Sequence, residues 1–296
     1  MKILKNQYNE LRSGWAVAAV VMLIIVGQLA GSALVPGDIN ESDLSIKIIV
    51  TLVYSLITIV GGVFLFKLIY KRPIYQLGLI KKKCLSWLLH GAILGTISMG
   101  LVFFLLSLTG QLKVLYIDTG KLFSFYIIIE LLSVGFTAFS EELLARGFIM
   151  TAFKTTRNKW VIFCASSLLF SLVHLLNPGI TALSIANTFL AGILFAYMFI
   201  KSGALWLPSG FHVFWNVLQG DILGMNVSGN EQASVFFMEM GTKEFLTGGK
   251  YGPEGGILVT CVLLLCLLYI RFFVKKPNYP IWTMESDLPL TRGNQA

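Results

Sequence analysis

Residues 160–200 read WVIFCASSLLFSLVHLLNPGITALSIANTFLAGILFAYMFI, a run of 41 residues without a formal charge. A membrane-spanning helix takes ~20 mainly apolar residues. Asn177-Pro178-Gly179, near the middle, is a turn signal. The run therefore predicts two membrane helices joined by a tight turn. The rest of the chain agrees. Of its 296 residues 56% are hydrophobic and 13% charged, against about 25% charged in an average soluble domain, and the mean hydropathy is +0.77. So few charged side chains cannot clothe a soluble domain of this size, and the sequence predicts an all-α, polytopic membrane helix bundle.

Other charge-free intervals at 13–37, 48–66, 84–112, 202–220 and 255–270, with a further helix that starts near Leu122 and continues past Glu130 into Glu141 and Glu142, extend the reading to eight spans. These fall at about 14–35, 46–69, 85–109, 122–152, 159–176, 180–200, 203–222 and 255–274. The expected organisation is one integral membrane domain over 1–296, with its functional core in 122–222. Residues 275–296, with Pro277, Pro280 and Pro289, read as a cytoplasmic tail without a core of its own. The first span begins with basic residues and carries Gly31, Ser32 and Ala33, as a signal peptide would, but its long apolar stretch favours a retained helix. The Gly-rich loop 221–254 reads as mobile. The four cysteines, in or beside apolar segments and without a CxxC pair, read as buried structural thiols.

With the N-terminus inside, eight spans place 18 of the 23 Lys and Arg in cytoplasmic segments, leaving Lys47, Lys113, Lys121, Lys243 and Lys250 outside. That bias is the positive-inside rule with both termini cytoplasmic. The net charge of +8 thus reports cytoplasmic loops, not a nucleic-acid partner. No GxGxxG, P-loop or HExxH is present, so nucleotide-binding and HExxH zinc-protease readings have no support.

An ionisable side chain at bilayer depth is costly unless paired or solvated and marks a functional site by default. Glu141, His174 and His212 lie ~20, ~22 and ~16 Å from the lysines that mark the cytoplasmic ends of their helices, at ~1.5 Å per residue. Three helices thus bring a carboxylate and two imidazoles to one level. Glu142 and Arg146, four apart, share a helix face in the favourable order for an ion pair, which leaves Glu141, ~100° around the helix, unpaired. His212 and Asn216 also share a face and can aim two donors at one atom. Pro208, one turn earlier, is expected to kink that helix. Glu141 with His174 can hold and deprotonate a water, and His212 with Asn216 can stabilise an oxyanion. Peptide-bond hydrolysis is the chemistry these groups suggest. His90 reads as a helix–helix hydrogen bond and Phe170 and Trp215 as packing residues. Glu130, eleven residues before Glu141 on nearly the same face, either lines the same cavity or pairs across helices. Glutamate and two histidines also form a zinc ligand set, but the separate base such a site wants would be Glu142, already beside Arg146. No metal or other cofactor is expected.

Glu141-Glu142-Leu143-Leu144-Ala145-Arg146, Phe170-Ser171-Leu172-Val173-His174 and His212-Val213-Phe214-Trp215-Asn216 fit, in order, the EExxxR, FxxxH and HxxxN motifs of the CAAX-protease and bacteriocin-processing (Abi) family. The chain resembles that family over residues 122–222. The resemblance implies an intramembrane glutamate-type endopeptidase similar to the type II CAAX prenyl proteases. Glu141 would activate water with His174, Glu142 would be held by Arg146, and His212 with Asn216 would form the oxyanion hole. It implies a multi-pass protein of the cell membrane, as in bacterial members, whose partners are the bilayer and a peptide or membrane-protein substrate. Because some members act in bacteriocin immunity, a non-catalytic immunity or scaffold protein is the alternative.

The charge partition makes a direct prediction. Reporter fusions after Lys83, Lys159 and Lys276 should read cytoplasmic, and fusions near Asp118 and Lys243 external. An external signal at Lys276 would mean an odd number of spans.

Overall fold

The computed structural model describes residues 3–6, 10–33, 44–278 and 282–283. Most of the expected 275–296 tail, including Pro280 and Pro289, lies outside the described residues, as do Lys2 and Arg292. Each of the eight apolar stretches contains a helix: α1 (Ser13–Ser32), α2 (Leu44–Tyr70), α3 (Cys84–Leu108), α4 (Phe125–Glu142), α5 (Lys159–Val173), α6 (Ala182–Ser202), α7 (Trp206–Asn216) and α8 (Ile257–Phe273). The protein is an all-α, multi-pass membrane bundle. By length and composition α1, α2 from Ile48, α3 and α6 are each able to cross a bilayer, while α5 and α8 are shorter apolar helices. Rows of exposed apolar side chains, such as Leu56, Val60 and Phe64 on α2 and Ile93, Ile97 and Phe104 on α3, suit a lipid solvent.

Local chemistry sets the breaks. Asn158 caps α5, its side chain accepting from the backbone of Trp160 and Val161. The expected turn at 177–179 falls between α5 and α6, and Thr181 with Ser184 then forms a reciprocal capping box that opens α6. α6 ends at Gly203 in a left-handed conformation, which turns the chain directly into α7. Two helices run on past their α-helical limit into π turns: α4 through Leu143–Ile149 to Met150–Ala152, and α7 through Val217–Ile222. Pro208 falls in the first turn of α7, where its missing N–H leaves no intrahelical bond unmade. The departure from α geometry therefore lies after Asn216 and not at Pro208, where a kink was expected.

Two apolar clusters make up most of the core. One joins α3, α6, α7 and α8 through Met99, Leu194, Phe195, Phe211, Trp215 and Leu263. The other joins α1, α2, the π turn of α4, α6 and the N-cap of α7 through Val20, Phe66, Leu143, Phe148, Phe199 and Leu205. α3 and α7 are in the most intimate contact, and small residues permit it. A Cβ on Gly91 would lie 2.1 Å from the Leu207 carbonyl oxygen, on Gly95 2.4 Å from that of Phe211, and on Gly210 2.2 Å from that of Leu88. Gly91 and Gly95 form a GxxxG pattern, the usual device for close approach of membrane helices.

The loop after α7 is ordered, against expectation. Its strand β2 (Phe236–Met240) pairs antiparallel with β1 (Leu112–Ile117) from the α3–α4 connection. Its glycines serve a specific backbone: Gly252, at φ +89, sits where a Cβ would lie 2.1 Å from the Asn226 carbonyl oxygen. The Glu254 carboxylate accepts from the backbone N–H and hydroxyl of Ser228. The cysteine expectation holds only in part. All four thiols are free, but only Cys266 is buried, whereas Cys164 and Cys261 are exposed. In the tail, Trp282 is buried among the residues of the second cluster. Its indole N–H donates to the Thr151 hydroxyl at 2.9 Å, its backbone N–H to the Gly203 carbonyl at 3.1 Å, and its ring faces Phe199.

Gly91→Val and Gly95→Val should each push α3 off α7 and cost about 1–3 kcal/mol or more by overpacking. Gly100→Val on the same helix meets nothing within 4 Å and should be tolerated. Thermal stability and monodispersity of the three variants in detergent check this, and equal behaviour would contradict the packing.

Candidate active site

The site is assembled around one carboxylate oxygen. Glu142, at the end of α4, and Arg146, in the π turn that follows, are both fully buried. Arg146 Nη1 donates to Glu142 Oε1 at 3.1 Å, and its Nη2 to the Gly192 carbonyl of α6 at 3.2 Å. The guanidinium lies 4.5 Å from the centre of the Phe170 ring and 5.1 Å from that of Phe195. Gly192 faces α5 so closely that a Cβ would stand 2.8 Å from Ser167 Cα, which brings the α6 carbonyl within reach. Guanidinium, carboxylate, backbone oxygen and two aromatic faces together offset much of a charge that water cannot reach, while Arg146 Nε and Glu142 Oε2 stay without a hydrogen-bond partner among the described residues.

The same Glu142 Oε1 accepts from His212 Nδ1 at 3.1 Å. Sequence reasoning missed this bond, because it crosses from α7 to α4 and leaves no spacing signal. Phe195 stacks on the His212 ring at 4.9 Å and Phe170 meets it edge-on at 5.8 Å. The ring is thus held on both sides, with Nε2 turned toward Glu141 Oε2 at 3.7 Å. The two neighbouring glutamates differ as their helix positions require: Glu142 has no exposure, while the Glu141 side chain keeps 22%.

His174 lies just past the end of α5, where its Nδ1 is 2.7 Å from the Phe170 carbonyl oxygen. With the proton on Nδ1 that bond is made and Nε2 keeps a lone pair. Among the described residues Glu141 and His174 make no direct hydrogen bond; they share a cavity. That cavity, about 810 Å³ in volume, is lined by Glu141, His174, His212 and Asn216 together. α1 and α2 close it on one side through Ile24, Gln28, Thr51 and Tyr54.

The structure therefore gathers all four sequence-selected residues around one space and places Glu142 and Arg146 in the wall behind them. Phe170, expected as packing, packs on the site itself. Glu130 lines the same cavity and makes no ion pair among the described residues. His90 behaves as expected, its Nε2 lying 3.0 Å from the Tyr269 hydroxyl on α8. Asp221 also lines the cavity. Its position at a loop boundary hid it from sequence reading, and so did the π turn that carries it. Among the described residues no three His, Cys, Asp or Glu side chains are grouped as a metal cage.

The structure is thus a membrane bundle in which Glu141 and two imidazoles, those of His174 and His212, line one cavity. Residues 121–218 match the family model of the type II CAAX prenyl endopeptidase Rce1-like proteins. The matched segment, which runs from the turn before α4 into the second π turn, covers about a third of the chain and is similar to that protease family. No curated protein and no solved structure matches the chain.

Removing one partner from a buried ion pair strands the other charge. Arg146→Met should therefore destabilise the protein by about 3–5 kcal/mol, and the double variant Glu142→Gln/Arg146→Met by clearly less than the sum of the singles. Unfolding in mixed micelles measures this, and additivity would mean that the pair is not coupled.

Proposed function

We propose that the protein is an intramembrane endopeptidase that hydrolyses a peptide bond with water activated by Glu141 and His174. The observation that carries this reading is the convergence of Glu141, His174, His212 and Asn216 on one cavity, with Glu142 and Arg146 walled off behind them. Glu141 is the accessible carboxylate. With Nδ1–H bound to the Phe170 carbonyl, His174 presents Nε2 as an acceptor for one proton of the water, and Glu141 takes the other as the oxygen attacks the carbonyl carbon. Such division of a water between two acceptors also fixes its direction of attack.

His212 sits between two carboxylates, and protons on both of its nitrogens satisfy that position. Nδ1–H is spent on Glu142. Nε2–H is then available, together with the Asn216 side-chain amide, to the oxyanion of the tetrahedral intermediate. When the intermediate collapses, the C–N bond breaks and the departing nitrogen takes the proton from Glu141, leaving one carboxylic acid and one amine. Arg146 and Glu142 do not touch the reacting atoms. They are positioning residues that hold the His212 ring in one orientation. The reaction as written uses the chain's own groups.

Glu141→Gln, His174→Ala and His212→Ala should each abolish peptide cleavage while the protein still accumulates in the membrane. Asn216→Ala should lose ~10²–10³ in rate, the usual cost of one oxyanion donor. Comparative peptidomics of cells carrying wild type or Glu141→Gln identifies the substrate, and purified protein with a peptide so identified supplies the rates. Full activity of purified Glu141→Gln would overturn the mechanism. Near-stoichiometric zinc, with activity lost on 1,10-phenanthroline and restored by zinc, would make His174 and His212 ligands instead. A cellular phenotype that survives Glu141→Gln after cleavage has gone would favour the immunity or scaffold role.

A further inference from the structure

The cavity extends well beyond the four residues of the proposed mechanism, and the charge of that extension is one-sided. Its lining includes Glu130, Asp221, Glu231 and Glu254 but no lysine or arginine. Glu254 is engaged by Ser228 and Glu231 is exposed, so these two need no ligand. Glu130 and Asp221 are different. Glu130 is 4% exposed and Asp221 1%, and neither forms an ion pair among the described residues. Both carboxylate oxygens of Asp221 are buried without a hydrogen-bond partner among those residues. The two side chains are near enough for the charge of Glu130 to act on Asp221. Buried polar groups are normally satisfied, and an orphan calls for a cause.

The second π turn explains why Asp221 reaches the cavity. In an α-helix a residue five positions after Asn216 would lie ~140° around the axis from it. The widened turn, with the backbone N–H of Leu223 bonded to the Leu218 carbonyl five residues back, absorbs one extra residue. Asp221 thereby returns toward the face of His212 and Asn216, and all three line the same space. On α4, Glu130 stands eleven residues before Glu141, which is three turns and ~16 Å along nearly the same face.

We infer that Glu130 and Asp221 form a subsite for a basic side chain of the substrate, seated away from the scissile bond. This rests on the peptidase reading above and names its substrate class: segments with a lysine or arginine near the cut. An extended chain advances ~3.3 Å per residue, so ~16 Å corresponds to about five residues between the basic side chain and the bond attacked beside Glu141. Two carboxylates without a third metal-ligating residue grouped with them among the described residues make a poor cage for an ion. They suit an ammonium or guanidinium, whose several donors can use all four oxygens.

The test uses the full chain in detergent and a synthetic library built on one apolar peptide, with a single Lys, Gln or Glu moved through every position. Cleavage is followed by mass spectrometry. Wild type should cut the peptides with Lys about five residues from the cleaved bond ten- to a hundredfold better than their Gln counterparts, the range of a charge-assisted contact, with Glu the poorest. Asp221→Asn, nearly isosteric, should bring the Lys-to-Gln ratio toward one through KM, and Glu130→Gln should lower it in the same direction. A ratio that stays the same in both variants, or a wild type indifferent to Lys, overturns the subsite and leaves the peptidase reading standing. Binding of fluorescein-labelled Lys and Gln peptides to Glu141→Gln, with and without Asp221→Asn, provides a readout free of catalysis. If no peptide is cut but Lys peptides bind in an Asp221-dependent manner, the subsite stands and the peptidase reading falls. If Lys and Gln peptides bind alike, the subsite falls whatever the cleavage result.

Discussion

The architecture around the cavity depends on the neutralisation of one buried carboxylate. Glu142 has no access to water, so its charge is tolerable only if the interior supplies what water would have given. Arg146 supplies most of it from one turn away, yet Arg146 is itself buried and must be satisfied in turn. The Gly192 carbonyl of α6 and the faces of Phe170 and Phe195 satisfy it in part, although Arg146 Nε has no hydrogen-bond partner among the described residues. Each satisfied group recruits the next helix. By the time His212 has bonded the same oxygen, α4, α5, α6 and α7 all contribute to one contact network. Electrostatics in a medium of low dielectric thus adds to the two apolar clusters a contact network that ties four helices to one carboxylate.

The glycine contacts between α3 and α7 play a complementary part. They have no charge to satisfy, but they set how near α7 can come. Since His212 directly follows Gly210 and Phe211, whose backbone, like that of Leu207, meets α3, the depth of the imidazole is fixed from behind by α3 and in front by Glu142. A ring clamped from two sides can present the same nitrogen to the cavity in every molecule.

Much of this was legible beforehand, for identifiable reasons. Charge-free runs and their turn signals mark helices because lipid penalises charge wherever it occurs, so seven of the eight stretches were legible from missing charge alone, and the eighth, 122–152, carries the site's own charges. The four-residue spacings of Glu142 with Arg146 and of His212 with Asn216 report same-face neighbours on any helix, and depth counting brought His174 to their level. What escaped depends on contacts between segments or on departures from regular geometry. The bond from His212 to Glu142 joins residues seventy apart. Asp221 reaches the cavity only because a π turn re-phases the end of α7, and ordinary helical counting points it elsewhere. The loop after α7 looked mobile because its glycines were read as flexibility. Several of them are required by positive φ and close backbone approach, and its order comes from pairing with a strand more than a hundred residues earlier. Cys164 and Cys261 show the converse error, since in a membrane an exposed position can be as apolar as a buried one.

Trp282 bears on how the molecule is completed during synthesis. Its indole covers the Lys154 ammonium at 4.2 Å, and Lys154 is almost wholly buried, although 128 residues separate the two in the chain. A ribosome delivers the amino-terminal portion first. For the whole interval in which α5 to α8 are being made, the pocket over Lys154 therefore stands without its lid. The last turn of the α4 segment, which holds Thr151 and leads to Lys154, can take its final environment only when residue 282 has left the exit tunnel. The bundle is in this sense sealed from its far end, and any chain that stops short of Trp282 would leave the membrane machinery with that seat still open.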